Sequence, residues 1–368
     1  MRIYLVGGAV RDMLLGREGY DRDFVVVGAT PDEFRQKFPA ARPVGKSFPV
    51  FLLDGAEYAL ARGKDIETDL LARDLTINAL ALDEFGEITS HPQALSDLRG
   101  KILRPASESA FTKDPLRVFR AARFYAAWPD FTAHPELTKL MRRTAKAGLL
   151  EKIAPERVGV ETRKALSGPR PGRFLSLLSE AECLKPWFKE LSGASQIPAG
   201  PAPHHTENLL AHTIQVMDRL SGIELLAWMG LCHDLGKAAT PAESYPSHID
   251  HESLGEPLAA RLGKRLKLPE RFIQAGAAAS KWHMKAGRYK ELRPGTKVDM
   301  LVRLHAKGLV DEMFALAKAD HGQDFLPLAQ KDLAVILSVR LSEEDRDQGP
   351  ASGERLRLLR CQALAGYG

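Results

Sequence analysis

Apolar positions along the chain change their period once, near residue 114. Before that point, short apolar runs bounded by turn residues alternate with brief helical stretches. Arg2–Val6, Phe24–Val27, Val50–Leu53 and Tyr58–Ala61 have the length and flanks of strands. Val10–Leu15, followed by Gly16, predicts a short helix closed by a glycine. Thr30-Pro31-Asp32-Glu33 reads as an N-cap, a proline at the first helical position and acids in the first turn. From Asp114 a helical period dominates: Leu116, Val118, Phe119, Ala122 and Phe124 share one side, while Arg117, Arg120 and Arg123 recur every three residues. Pro155-Glu156 opens a further helix through Leu166, and residues from about 204 to 340 are again mostly helical. Ser167–Arg173 and Ser192–Pro203 are rich in Gly and Pro and predict linkers. The charged, Gly-containing stretch Ser342–Gly353 predicts a mobile tail.

With 368 residues the chain should fold as two or three domains rather than around one core. A formal charge of +5 and a pI near 9.0 suit a polyanionic partner without requiring one. The three cysteines, Cys183, Cys232 and Cys361, lie far apart and form no CxxC pair, so a reducing cytoplasm is expected. The apolar run Ile3–Val10 ends in Arg11-Asp12, unlike a signal peptide. No apolar stretch approaches the roughly 18 residues that span a bilayer, and no membrane partner is expected.

Two constellations carry chemistry. The first is Gly7-Gly8-Ala9-Val10-Arg11-Asp12 followed by Asp21-Arg22-Asp23, read as strand, tight turn, helix and strand. Residues i and i+2 on a strand share a face. Two adjacent carboxylates repel unless a cation sits between them. A Gly-Gly turn at a helix start lets backbone N–H groups come close to a phosphate. Together these features point to metal-assisted phosphoryl or nucleotidyl transfer. Asp12 is expected to hold the turn or pair with Arg11 rather than bind metal.

The second is a cluster of histidines, seven of the eleven lying between residues 204 and 283. It contains the HD motif His233-Asp234-Leu235-Gly236-Lys237, with His212 upstream, His248, His251 and His283 downstream, and Asp320 further on. Imidazole and carboxylate donors drawn from several helices suit Ni²⁺, Mn²⁺, Fe²⁺ or Mg²⁺ and phosphoester hydrolysis at an open site. His212, His233, Asp234 and Asp320 are the expected ligands of one ion. His251 and His283 are assigned to a second ion or to a phosphate contact. His204, His205 and His248 are weaker candidates.

The first constellation resembles the opening motif of tRNA CCA nucleotidyltransferases of the bacterial and eukaryotic class, within the DNA polymerase β superfamily. The resemblance continues at Arg73-Asp74-Leu75-Thr76-Ile77-Asn78-Ala79, at Asp114-Pro115-Leu116-Arg117-Val118-Phe119-Arg120, and at Pro155-Glu156-Arg157-Val158 with Glu161. These motifs stand in the family's order over roughly residues 1–170, and the C-terminal half is similar to the HD domain fused to some members. The resemblance implies an α+β fold. A polymerase-β-like head would occupy residues 1–104 and an all-α neck 105–170. A helical body over 171–341 would hold the HD domain at about 204–325, before a tail at 342–368.

It also implies roles. Asp21 and Asp23 would hold Mg²⁺, Gly8 and Arg11 would contact the triphosphate, and Arg73, Asp74, Arg117 and Arg120 would contact the nucleotide. Asp114 and Arg117, taken as i and i+3 on one helix, would read the base edge. Glu57 could add a third carboxylate but reads more readily as an exposed strand-end acid. For the HD centre the resemblance implies phosphohydrolase activity on 2′,3′-cyclic phosphates, 2′-nucleotides or small phosphate esters. A degenerate HD fold that only holds the tRNA body is the alternative.

The chain departs from the family pattern in four places. Only Gly63-Lys64-Asp65 stand between Arg62 and Ile66, where relatives carry a longer flexible loop linked to the switch from CTP to ATP. CC-adding enzymes lack that loop, so the expectation is addition of two cytidines from CTP to tRNA, with a separate A-adding enzyme in the same cell. Full CCA addition from CTP and ATP is the alternative. An HD phosphohydrolase with an inactive RNA-binding head is a more distant one. Lys113, Ala72 and His91 stand where the family usually has Glu, Arg and Asp, and Lys113 puts base choice most in question.

Overall fold

The computed structural model describes residues 1–17, 22–44, 50–202 and 206–366. Asp21, His204 and His205 therefore lie outside the described residues. The chain divides into two compact units, Met1–Ile153 with Glu180–Cys183, and Ala154–Ser179 with Leu184–Gly368.

The first unit is built on a mixed sheet. Its elements begin with β1 (Arg2–Val6), α1 (Gly8–Leu14), β2 (Asp23–Val27), α2 (Pro31–Lys37), β3 (Arg42–Val44), β4 (Val50–Leu53) and β5 (Ala56–Leu60). They continue with α3 (Ile66–Leu71), β6 (Leu80–Leu82), β7 (Ile88–Ser90), α4 (Ala94–Gly100), α5 (Ala110–Lys113), α6 (Arg117–Ala127) and α7 (Pro135–Lys146). The strand order is β3-β4-β5-β2-β1-β6-β7, with β2 and β5 parallel and the other neighbours antiparallel. β2 is central and buried on both faces, which is why it reads as an unbroken apolar run. Val25 and Val27 pack with Tyr4, Val6, Ile66 and Leu70, while Val26 packs on the other side with Phe34, Phe51 and Leu60. Thr30 closes a capping box with Glu33 at the start of α2.

The second unit is helical. Its helices are α8 (Pro155–Leu166), α9 (Gly172–Glu180), α10 (Leu209–Arg219), α11 (Glu224–Cys232), α12 (His251–Arg265), α13 (Glu270–Gly287), α14 (Pro294–Ala306), α15 (Val310–His321), α16 (Leu326–Ser338) and α17 (Pro350–Ala365). Every residue of α11 from Leu225 to Cys232 is buried, so this helix is apolar all round, as a central helix must be. His233 and Asp234 follow at its end. The segment expected to be a mobile tail instead leads into α17, which packs on α14 and α16. Pro350 stands in its first turn, and Arg357 clamps Asp299 of α14 at 2.6 and 2.7 Å. Among the described residues no helix is long and apolar enough to cross a membrane.

Two candidate active sites

In the first unit Asp23 opens β2 and lies beside Glu57 of β5 in parallel register. Both are exposed, and both line an open cleft of about 430 Å³ together with Arg62, Asp69, Arg73 and Arg120. The Arg73 guanidinium donates to Asp69 at 3.1 and 3.3 Å. Gly7, at φ +69, lets that guanidinium lie against the turn: a Cβ on Gly7 would be 2.9 Å from Nη1 of Arg73. Arg62 and Asp69 were not anticipated as cleft residues, although the i,i+4 spacing of Asp69 and Arg73 was a usable signal.

Asp74, Arg117 and Arg11 support the cleft from one step away. The buried Asp74 carboxylate accepts from the Leu75 N–H at 2.9 Å, from Asn78 at 3.0 Å and from Arg120 at 2.8 Å. Burial raises its pKa, but Arg120, Asn78 and Arg117 together hold it below the usual carboxylate range. Arg117 is buried and donates through Nη1 to the carbonyls of Arg73 (3.0 Å) and Ala110 (3.2 Å). Its pKa is depressed first by burial and further by the like charges of Arg62 and Arg120, against the pull of Asp74. An anionic ligand relieves such crowding. Arg11 binds both Asp12 oxygens at 2.9 and 3.0 Å and Asn78 at 2.6 Å, and stacks over Trp128. Gly8 opens α1, which no side chain caps.

One expectation is corrected. Asp114 and Arg117 are not i and i+3 on a helix. Asp114 is extended, with φ −139 and ψ 96, at the end of α5, and Arg117 is the first residue of α6. Pro115 is the reason, since the residue before a proline is driven out of the helical region.

In the second unit the structure brings the HD residues together from α10, the end of α11, α12, α13 and α15. His212, His233 and Asp234 form one group with the geometry to hold a metal ion, and Asp234, His251 and His283 form a second. Asp234 belongs to both. Its Oδ2 lies 3.2 Å from His233 Nε2 and 3.5 Å from His212 Nε2. Its Oδ1 lies 3.3 Å from His283 Nε2 and 3.5 Å from His251 Nε2. Asp320 lies beside the first group, with Oδ1 at 3.0 Å from His212 Nε2 and 4.0 Å from His233 Nε2.

Hydrogen bonding at the outer ring nitrogens determines what faces inward. Nδ1 of His233, His251 and His283 lies 2.7 to 3.0 Å from the carbonyls of Gly230, His248 and Ala279, and His212 Nδ1 lies 3.2 Å from a Glu207 carboxylate oxygen. Those partners only accept, so Nδ1 carries a ring proton in each, and any ring without a second proton points a lone pair inward from Nε2. Lone pairs then face each other at 3.2 Å between His212 and His233, and at 3.3 Å between His251 and His283. Only a cation or an added proton makes this stable. Asp234 Oδ1 is buried without a hydrogen-bond partner among the described residues. Burial alone would lower the His233 pKa, but Asp234 and Asp320 raise it to about 9. Asp234 itself is held well below the usual range by His233 and Lys237, although burial opposes this. The donor set fits divalent metal ions.

Glu207 and Lys237 were not assigned roles from the sequence. Lys237 is buried and joins Asp234 Oδ2 to the Ala199 carbonyl, both at 2.7 Å. His248 uses both ring nitrogens on Thr240 and the Pro198 carbonyl at 2.7 Å, so it is a wall of the site rather than a ligand.

Family models match in three stretches: the poly A polymerase head domain over residues 3–53, a "probable RNA and SrmB-binding site of polymerase A" over 130–194, and the HD domain over 204–320. The multifunctional CCA protein of Xanthomonas oryzae is 37% identical over 405 aligned positions, covering 99% of this chain and 98% of that protein. The chain belongs to the multifunctional CCA protein family. It is a CCA-adding-type nucleotidyltransferase with a C-terminal HD domain. The Acinetobacter baumannii member is 36% identical over 100% of this chain and 98% of its own length. Among solved structures, the Bacillus stearothermophilus CCA-adding enzyme in complex with CTP matches with a TM-score of 0.65 at 23% identity, covering 99% of this chain and 89% of that one. The Thermotoga maritima CCA-adding enzyme complexed with tRNA matches at 0.64 with 19% identity, covering 99% and 87%. At these identities the likeness is one of fold. The alignments run over 405 positions against 368 residues here, so the relatives carry positions this chain lacks.

Proposed function

We propose that the first cleft completes the 3′ end of tRNA without a nucleic-acid template, adding CCA from CTP and ATP. The observation that carries this is the cleft itself, which sets strand-end acids against Arg62, Arg73 and Arg120 in a chain homologous to multifunctional CCA proteins. Solved fold relatives were captured with tRNA, CTP and ATP. Asp21 and Asp23 would hold Mg²⁺, which when bound neutralises triphosphate charge and lowers the pKa of the RNA 3′-hydroxyl. Arg73, aimed by Asp69, and Arg120, aimed by Asp74, bind the triphosphate. Arg117 has Nε and Nη2 left to donate to ring acceptors of a base, while Asp114 accepts from the exocyclic amine of cytosine or adenine. Uracil and guanine present the opposite polarity there, at a cost of about 1–3 kcal/mol per unpaired group.

A second reading has a specific observation in its favour. β5 ends at Leu60 and α3 begins at Ile66, so only Ala61–Asp65 joins them, in keeping with the short connection expected in place of the family's switching loop. This supports an enzyme that stops after two cytidines and leaves the terminal adenosine to a separate enzyme. The names of the relatives favour full CCA addition.

For the HD centre we propose hydrolysis of phosphate esters and cyclic phosphates at RNA 3′ ends. His212, His233, Asp234 and Asp320 would hold a divalent ion, for which imidazole donors favour Ni²⁺, Mn²⁺ or Fe²⁺ over Mg²⁺, and which would supply a Lewis acid and an activated water. Lys237 holds the Asp234 carboxylate in place at 2.7 Å.

Incubation with tRNA lacking CCA, and with CTP and ATP singly and together, tests these readings. Products ending in adenosine are expected. Products that stop at the second cytidine in the presence of ATP would establish the second reading, and no incorporation at all would overturn both. In Asp21→Ala, incorporation should vanish while phosphoester hydrolysis persists; surviving incorporation would sink the Mg²⁺ assignment.

A further inference from the structure

We infer that His321 is a positioning residue of the HD centre: its imidazole, seated in the notch left by the missing side chain of Gly287, aims the Asp320 carboxylate at His212 and His233. The inference rests on the reading that this centre holds metal.

Asp320 and His321 are consecutive residues at the end of α15. Neighbours on a helix diverge by about 100°, so their side chains do not ordinarily meet. Here they do. His321 Nε2 lies 3.3 Å from Asp320 Oδ2, while Oδ1 of the same carboxylate faces His212 Nε2 at 3.0 Å and His233 Nε2 at 4.0 Å. The two oxygens are therefore divided, Oδ1 turned toward the nitrogens of His212 and His233 and Oδ2 facing His321 Nε2.

Gly287 makes this possible. It is the last residue of α13 and sits one turn beyond the ligand His283. A Cβ on Gly287 would overlap the imidazole at Cδ2 and come within 2.5 Å of Nε2. Only glycine leaves room for the ring at that place. One helix thus supplies both a ligand and the seat for the residue that orients a ligand on another helix. The His321 side chain is 29% exposed and borders the same cavity as His212, Asp234, His251 and His283. Partners of this kind fix the direction of a metal-binding carboxylate, and their loss typically weakens metal affinity 10–100-fold.

The test is calorimetric titration of Ni²⁺ into the full chain after chelation, with melting temperature as the check on folding. His321→Leu fills the seat without a nitrogen and is expected to weaken binding by at least about tenfold. His321→Gln keeps an N–H within reach of Asp320 and should recover most of the affinity. Gly287→Ala should resemble His321→Leu, because it evicts the ring. In the His321→Ala background, where the seat is empty, Gly287→Ala should cost nothing further. Equal Ni²⁺ affinity in wild type and His321→Leu, or an equal cost of Gly287→Ala in both backgrounds, would overturn the inference alone. A wild-type chain that takes up neither Ni²⁺ nor, in the same titration, Mn²⁺ or Fe²⁺ would overturn the metal reading and this inference with it.

Discussion

Asp23 stands exposed at the mouth of a cleft lined by arginines, whereas Asp234 is 2% exposed and surrounded by imidazoles. Water can solvate Asp23, so the head acids can wait for a substrate that brings its own cations. Asp234 has no such freedom. A buried carboxylate oxygen without a hydrogen bond, beside closely facing imidazole nitrogens, is costly unless a proton or a metal ion sits among them. The head cleft thus presents its acids and arginines to water, whereas the HD centre buries its carboxylate among imidazoles. The supporting residues follow the same division. In the head, carboxylates aim arginines; in the HD centre, carbonyls and a carboxylate aim imidazoles.

The strongest way to break this contrast is Asp234→Ala. Asp234 belongs to both metal groups, so hydrolysis of a cyclic phosphate should fall by something on the order of 10⁴-fold. CTP incorporation, measured on the same preparation, should stay within about twofold. Loss of both activities would show that the two sites do not work independently.

A smaller effect is expected from Arg120→Ala, which leaves Asp74 buried without its ion-pair partner. Breaking a fully buried pair costs about 3–5 kcal/mol; because Arg120 is 38% exposed, about 2 kcal/mol is expected in urea unfolding, with a raised KM for CTP. Unchanged stability would show that Asn78 and the Leu75 N–H suffice for Asp74.

The mildest comparison sets one aiming carboxylate in each site against the other. Glu207→Gln should lower metal affinity about tenfold, since the carboxylate on His212 Nδ1 is replaced by a weaker acceptor. Asp69→Asn should raise KM for CTP only severalfold, because Arg73 keeps its charge. A larger effect at Asp69 than at Glu207 would reverse the view that the HD centre is the more strictly preorganised of the two.

Much of this was legible locally. Thr30 with Glu33, and Pro155 at the start of α8, carry their signals within four residues, and the apolar run Phe24–Val27 announced a strand. That His212, His233, Asp234 and Asp320 lie close together was legible from the HD motif and the histidines around it. The misplacement of Asp114 was avoidable, since Pro115 stands beside it in the sequence. α17 was hidden because its charged, Gly-containing start masked Leu356, Leu359 and Leu364, which acquire meaning only where α14 and α16 lie.

The sequence alone settled which side chains could serve as donors and which elements carry them, because helix period, caps and strand alternation are properties of neighbouring residues. The tertiary structure decided which ring nitrogens face inward, that one aspartate is shared by two groups, and that a glycine on α13 makes room for a histidine on α15. Those outcomes depend on ångström-scale distances between helices far apart along the chain, and such distances are set by packing, which no local pattern encodes.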